Sequence, residues 1–430
     1  MNQRADVYLW GTRIARVFLP DNGVAVFEYD SDFLMSGIEV SPISMPLSPG
    51  VYSFPDLSNS SFHGLPGLLA DSLPDKFGNA IISQWLAGQG LSDESFNAID
   101  RLCYTGSRGM GALEYVPSEG PVGDPGEHIN VSKMVEFASK ILNDRKSLHI
   151  SVEEDITAKQ LLQLGTSAGG ARAKAVIAWN EKTGDVRSGQ IDAGNDYSYW
   201  IVKFDGVENN GDHGLSDEPQ YTLIEYAYYL MAKQAGINMS LCRLFHENGR
   251  SHFMTRRFDR TVEGGKIHMQ TLGAIAHIDY NTPCLCSYER AALIARQIGL
   301  FAEDIEQIYR RMIFNVIAVN HDDHVKNMSF LMDRGGNWTL SPAYDLTFAY
   351  NASNRWLAAH QMTVNGKSDN IMENDLLEAG INMDISPRKC RRIIQEVNEV
   401  VNNWPRYAQD AGVSEYRMNI INERIHSSRD

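Results

Sequence analysis

The sequence predicts an α+β protein in three parts: a β-rich N-terminal domain, a mixed α/β small lobe and a helical C-terminal lobe. Three observations carry that reading. Residues 1–116 are rich in short β-branched and aromatic runs broken by glycine and proline. Residues 117–127 hold three prolines and three glycines, which no packed element tolerates. From about Ser287 onward apolar residues recur at helical spacing.

The first part reads as a small meander, with Val7 to Trp10, Ile14 to Leu19 and Val24 to Tyr29 as strands separated by Gly11 and by Pro20-Asp21-Asn22-Gly23. Phe77, Ile81 and Trp85 recur every four residues, so one apolar helix is expected to pack on that sheet. The glycines of residues 102–113 read as a tight turn between strand and helix rather than as a phosphate loop. A linker over 117–129 follows, and Asn130 is an N-cap for a helix with Val131, Met134, Val135 and Ala138 on its apolar face. The small lobe is placed at 130–260 and the large lobe at 261–430. In the large lobe, helices are expected over 288–297, 303–319 and 391–403, the last buried through Ile393, Ile394, Val397, Val400, Val401 and Trp404.

With 430 residues the chain can bury a sizeable core, and 43% hydrophobic with 22% charged residues is ordinary for a globular protein. No run of about 18 apolar residues is present, and residues 1–6 are not followed by the apolar core of a signal peptide, so the cytoplasm is the expected compartment, with no membrane contact. The five cysteines are odd in number and scattered, which argues against a disulfide framework or a structural zinc site. A net charge of −15 makes the chain a poor non-specific binder of nucleic acid.

Chemistry concentrates in residues 315–350. An apolar helix end turns polar at Asn320-His321-Asp322-Asp323-His324-Val325-Lys326-Asn327, a hairpin follows, and its second strand runs into Pro342-Ala343-Tyr344-Asp345. An aspartate, an asparagine five residues later and a second aspartate beyond a hairpin is how protein kinases mount a proton acceptor and two metal ligands. A hydroxyl attacking a γ-phosphate needs an oriented acceptor, and the phosphate oxygens need Mg²⁺ held by hard oxygen ligands. Earlier in the chain, Gly165, Gly169 and Gly170 lead into a strand at Lys174; on local grounds this run fits a glycine turn as well as a phosphate nest. Lys203 closes an apolar strand, and Glu225 on the next helix is the carboxylate it would pair with. Residues 253–260 then stand where a hinge would offer backbone groups to adenine.

In wording as well as order, these parts resemble the HipA family of bacterial serine/threonine kinases, the toxins of type II toxin–antitoxin modules. The resemblance rests on Ser167-Ala168-Gly169-Gly170-Ala171-Arg172-Ala173-Lys174, Arg257-Phe258-Asp259-Arg260, Asp322-Asp323-His324-Val325-Lys326-Asn327 and Pro342-Ala343-Tyr344-Asp345-Leu346. Residues 62–75 are similar to the domain that precedes the kinase in full-length members, so the likeness spans nearly the whole chain.

The resemblance implies the two-lobed, protein-kinase-like fold of that family and an enzyme using ATP and Mg²⁺. It implies Asp322 as general base, with Asn327 and Asp345 holding metal. Gly169, Gly170, Ala171, Arg172, Ala173, Lys174, Lys203, Arg256, Arg257, Phe258, His324, Lys326 and Tyr344 would line the nucleotide. Ser167 stands where family members autophosphorylate and silence themselves. The implied partners are a HipB-like helix-turn-helix antitoxin, operator DNA mainly through that antitoxin, and a protein substrate, which in the best-known branch is an aminoacyl-tRNA synthetase. Two other readings stay open at this point: a small-molecule kinase with the same loop, and a catalytically silent kinase fold that regulates a DNA-binding partner.

Overall fold

The computed structural model describes residues 2–88, 90–120, 127–143, 172–190, 192–207 and 220–427. Three antiparallel sheets organise them. The first has the order β4-β3-β2-β1-β5, built from β1 (Arg4–Leu9), β2 (Thr12–Phe18), β3 (Val26–Tyr29), β4 (Val51–Tyr52) and β5 (Leu113–Val116). Alternation sets its faces: Ala5, Val7 and Leu9 of β1 point into the core. Trp10 and Gly11 both take positive φ, at 50° and 83°, which the two-residue turn between β1 and β2 requires. The meander stands where it was expected, but residues 102–113 differ. Leu102 to Thr105 end the helix Ala98–Thr105, so the glycines join a helix to the strand β5, the reverse of the expected order. That helix starts from a capping box between Asn97 and Asp100.

The second sheet has the order β7-β6-β8-β10-β9, from β6 (Lys174–Trp179), β7 (Val186–Ser188), β8 (Ser198–Lys203), β9 (Cys242–Glu247) and β10 (Arg250–Arg256). The helix Val131–Asn143 begins one residue after its cap, where Asn130 Oδ1 accepts from Lys133 N at 3.1 Å. The helix Lys76–Gly88 exists as predicted but packs elsewhere. Phe77 and Ile81 join Met134, Ala138, Ile177 and Trp200 in the core of the second sheet, while Ile82 and Leu86 meet Tyr104. Apolar residues on two faces let this helix bridge the N-terminal domain and the small lobe instead of covering the meander.

The third sheet joins β11 (His268–Thr271), β12 (Ser329–Met332) and β13 (Trp338–Leu340), and only its hairpin was visible in the sequence. Around it pack the helices Tyr288–Gln297, Ala302–Ile317, Glu373–Asn382, Pro387–Val401, Trp404–Asp410 and Glu415–Ser427. In Pro387–Val401 the buried Cys390, Ile393, Ile394, Val397 and Val401 form one stripe, each large aliphatic contributing about 1.5–3 kcal/mol of burial. One continuous apolar cluster runs from Val7 and Phe27 of the first sheet to Phe314, Trp404 and Ile421 of the large lobe. The N-terminal domain therefore shares the large lobe's core and is held against the loops that carry the chemistry.

Candidate active site

Lys203, at the end of β8, meets two carboxylates. Its Nζ donates to Glu225 Oε1 at 2.7 Å and also to Asp345 Oδ1. Burial alone would push this ammonium down, yet Asp345 and Glu225 together hold it above the ordinary lysine value. Burial tends to raise Asp345 as well, but Lys203 prevails and brings it down to about 2. For Glu225 burial wins, and its carboxyl lies above the usual range despite Lys203. Asp345 adopts φ 54°, left-handed backbone that a non-glycine residue occupies at a cost, and its carboxylate reaches the lysine from there.

The loop after Ala302–Ile317 separates two adjacent aspartates. Asp323 is 3% exposed and accepts from Tyr288 Oη at 2.8 Å, His360 Nδ1 at 2.9 Å and Gln361 N at 2.8 Å, so it holds the loop to the lobe. Asp322 turns to the cavity. Asn327 Nδ2 donates to the Asp322 carbonyl at 2.8 Å, so the five-residue spacing closes the loop. That bond leaves the Asn327 amide oxygen as its remaining hard donor. His324 accepts from Lys326 N at 3.2 Å, and Tyr344 Oη donates to the Lys326 carbonyl at 2.6 Å while accepting from Ser329 Oγ at 2.5 Å.

These side chains line one cavity of about 690 Å³ where the N-terminal domain and the two lobes meet. Arg172, Lys174, Lys203, Glu225, Arg256, Arg257, Phe258, Asp322, His324, Lys326, Asn327, Tyr344 and Asp345 all contribute to its wall. Two of them have commitments elsewhere, and one expected residue is absent from the wall. The Ala173 methyl is buried in the apolar core rather than in the wall. Lys174, 3% exposed, pairs with Asp75 of the N-terminal domain at 2.9 Å. Arg257 lays its guanidinium on Asp259, with Nε to Oδ1 at 2.8 Å and one terminal nitrogen to Oδ2 at 2.6 Å, while the same carboxylate accepts Gly111 N at 2.7 Å. Gly169, Gly170, Ala171 and Ser167 lie outside the described residues.

The sequence reading missed the wall supplied by the N-terminal domain, where Ser61, His63, Asp71, Asp75 and Asn79 face the cavity, and also Tyr280 and Asn281. A signal was present: Asp71 and Asp75 interrupt an otherwise apolar stretch, and isolated carboxylates there need partners.

The cavity suits a nucleotide carrying its own metal. Arg172, Lys203, Arg256 and Lys326 bring positive charge, and Phe258 and Tyr344, their rings 5.6 Å apart, offer an aromatic surface to a base. Among the described residues no group of three or more His, Cys, Asp or Glu could hold a metal by itself. Asp345 and the Asn327 oxygen are instead two hard donors, the complement expected for Mg²⁺ whose other ligands are phosphates and water.

The chain is similar to known proteins in sequence and in fold. The family model described as HipA-like C-terminal domain matches residues 166–404, and that described as HipA N-terminal domain matches residues 5–116. A Haemophilus influenzae protein named as a kinase is 26% identical over 159 residues, covering 33% of this chain and 46% of that protein. A Sinorhizobium fredii protein, also named as a kinase, is 31% identical over 97 residues, covering 21% of this chain and 22% of that protein. The chain thus aligns with less than half the length of either relative. The solved HipA of Shewanella oneidensis MR-1, in a toxin–antitoxin complex with HipB and operator DNA, superposes with a TM-score of 0.63 over 99% of this chain and 95% of that one at 15% identity, which is a likeness of fold.

Proposed function

Because the chain belongs to the HipA family, its C-terminal model matching residues 166–404, we propose that it is an ATP- and Mg²⁺-dependent serine/threonine protein kinase acting as the toxin of a toxin–antitoxin module. The observation that carries the reading is the Lys203, Glu225 and Asp345 cluster facing Asp322 and Asn327 across one cavity. Lys203 would hold nucleotide phosphates, with Glu225 fixing its direction. Asp345 and the Asn327 oxygen would hold the metal, which neutralises charge on the phosphates when bound. Asp322, kept apart from the structural Asp323, would orient the acceptor hydroxyl and take its proton. Ser167 would be the autophosphorylation site, since a phosphoserine beside bound ATP adds like charge.

The proposed partners are a HipB-like helix-turn-helix antitoxin that carries the operator DNA, and a protein substrate such as an aminoacyl-tRNA synthetase. The HipA–HipB–operator complex solved for the structural neighbour supports the first. A net charge of −15 is in keeping with DNA contact made mainly through a basic partner.

Phosphate transfer from labelled ATP and Mg²⁺ in a clarified bacterial lysate tests the reading, comparing the wild type with Asp322→Asn. The wild type should label Ser167 and a lysate protein, and the variant should lose at least about 10²-fold of that rate while still binding ATP. A wild type that binds ATP but labels only small metabolites, or nothing, overturns the protein-kinase assignment.

A further inference from the structure

Lys326 presents its ammonium to the cavity in an unusual setting. Its Nζ lies 4.3 Å over the Tyr280 ring, and among the described residues no side chain or carbonyl accepts a hydrogen bond from it. Its backbone is fixed through Tyr344, as described above. On the N-terminal side of the same cavity stands Asp71, whose carboxylate accepts Thr271 N at 2.7 Å and Thr271 Oγ1 at 2.9 Å. Thr271 is paired with Ser329 between β11 and β12, and Ser329 is the donor to Tyr344. Asp71 thus grips the strand edge that steadies the Lys326 loop. Burial raises the Asp71 carboxyl, and the field of Lys326 opposes that rise.

The Tyr280 loop is tied to the N-terminal domain as well. Asp279 accepts Asn281 N at 2.8 Å and the Ser61 hydroxyl, and Asn281 Nδ2 donates to Ser61 Oγ at 2.8 Å. Close by, Gly67 N donates to His277 Nε2 at 3.0 Å, and a methyl at Gly67 would come 2.2 Å from the Ala274 carbonyl. The approach leaves no space for any other residue.

We propose that Asp71 and Tyr280 are positioning residues for nucleotide binding, a carboxylate from the N-terminal domain and a ring from the large lobe that together aim the Lys326 ammonium at ATP phosphate. The inference rests on the kinase reading and extends it: the N-terminal domain works inside the active site through Asp71. Its sign is distinctive. A carboxylate near bound phosphates acts by itself as a repulsive charge, so removing it would tighten ATP binding unless its main effect runs through Lys326.

Calorimetric titration of the full chain with ATP and Mg²⁺ provides the test, using wild type, Asp71→Asn, Tyr280→Leu, Tyr280→Phe and Lys326→Met, with the Asp71→Asn and Tyr280→Leu changes repeated in the Lys326→Met background. Asp71→Asn and Tyr280→Leu should each weaken ATP about 3–10-fold, Tyr280→Phe should recover what Tyr280→Leu loses, and neither loss should appear once Lys326 is methionine. Tighter ATP binding by Asp71→Asn, or equal losses in both backgrounds, overturns the proposal. If Asp71→Asn does not fold, Tyr280→Leu decides by the same criterion. A wild type that fails to bind ATP takes the kinase reading down with it, whereas normal binding and transfer with unshifted variants takes down this inference alone.

Discussion

Lys203 is the residue on which both carboxylates of the site depend. In Lys203→Met the buried Glu225 loses its counter-charge, and breaking a buried pair from one side costs about 3–5 kcal/mol, while Asp345, a third exposed to the cavity, loses less. A Lys203→Met, Glu225→Gln double variant should be less destabilised than Lys203→Met, because the glutamine leaves one fewer stranded charge. Urea midpoints of the two variants check this; a double variant that unfolds earlier would mean that Glu225 holds the fold through contacts other than the lysine. At this scale the sequence was most informative. Lys203, Glu225, Asp322, Asn327 and Asp345 were all legible, since charged groups at the ends of apolar elements need partners and a five-residue step closes a loop. Arg257 was legible only as a neighbour of the site, because nothing in Arg257-Phe258-Asp259 says that the guanidinium folds back two residues onto Asp259.

Among elements, the helix Ala98–Thr105 shows where local signals outrank glycine content. Asn97 Oδ1 accepts from Asp100 N at 3.0 Å and Asp100 Oδ2 accepts from Asn97 N at 3.0 Å, a reciprocal cap that reading the nearby glycines as punctuation overlooked. Asn97→Ala should destabilise the protein by about 0.5–2 kcal/mol, seen as a lower thermal midpoint, and an unchanged midpoint would show that packing alone defines this helix start. Lys76–Gly88 and β11 mark two further limits. Periodicity reports which side of a helix is buried but not what covers it, so the small lobe could not be told from the meander as the partner of Phe77 and Ile81. In β11, His268 and Gln270 are fully buried yet polar, so the strand lacks the alternation that reveals a strand in sequence.

For the whole molecule, acid should be the sharpest stress. His268, His277 and His321 are each pushed by burial from 6.5 to about 4, with His360 adding to the effect at His321. A lowered folded-state value means that the unfolded chain takes up protons first. Their contribution is therefore complete above pH 6.5 and is lost progressively as pH falls through about 4. Asp345 extends the loss in the same direction, from 3.8 down to about 2. Urea midpoints at pH 7.5, 6 and 5 should fall in that order, and equal midpoints at pH 7.5 and 5 would contradict the buried neutral state of these rings. His321 adjoins Asp322, so acid should reach the loop of residues 320–327 before it reaches Asp345.

The continuous apolar cluster shared by the first sheet and the large lobe also has a meaning in time. The N-terminal strands leave the ribosome first, while the segments that meet their domain, from His268 and the helix Leu272–Ile275 to Trp338, follow later. At about 5–20 residues per second the last of that surface arrives roughly 10–45 s after β5 has been made. During that interval the nascent sheet exposes a bare apolar face, the kind of surface that ribosome-associated chaperones shield, before the cavity it helps to wall can form.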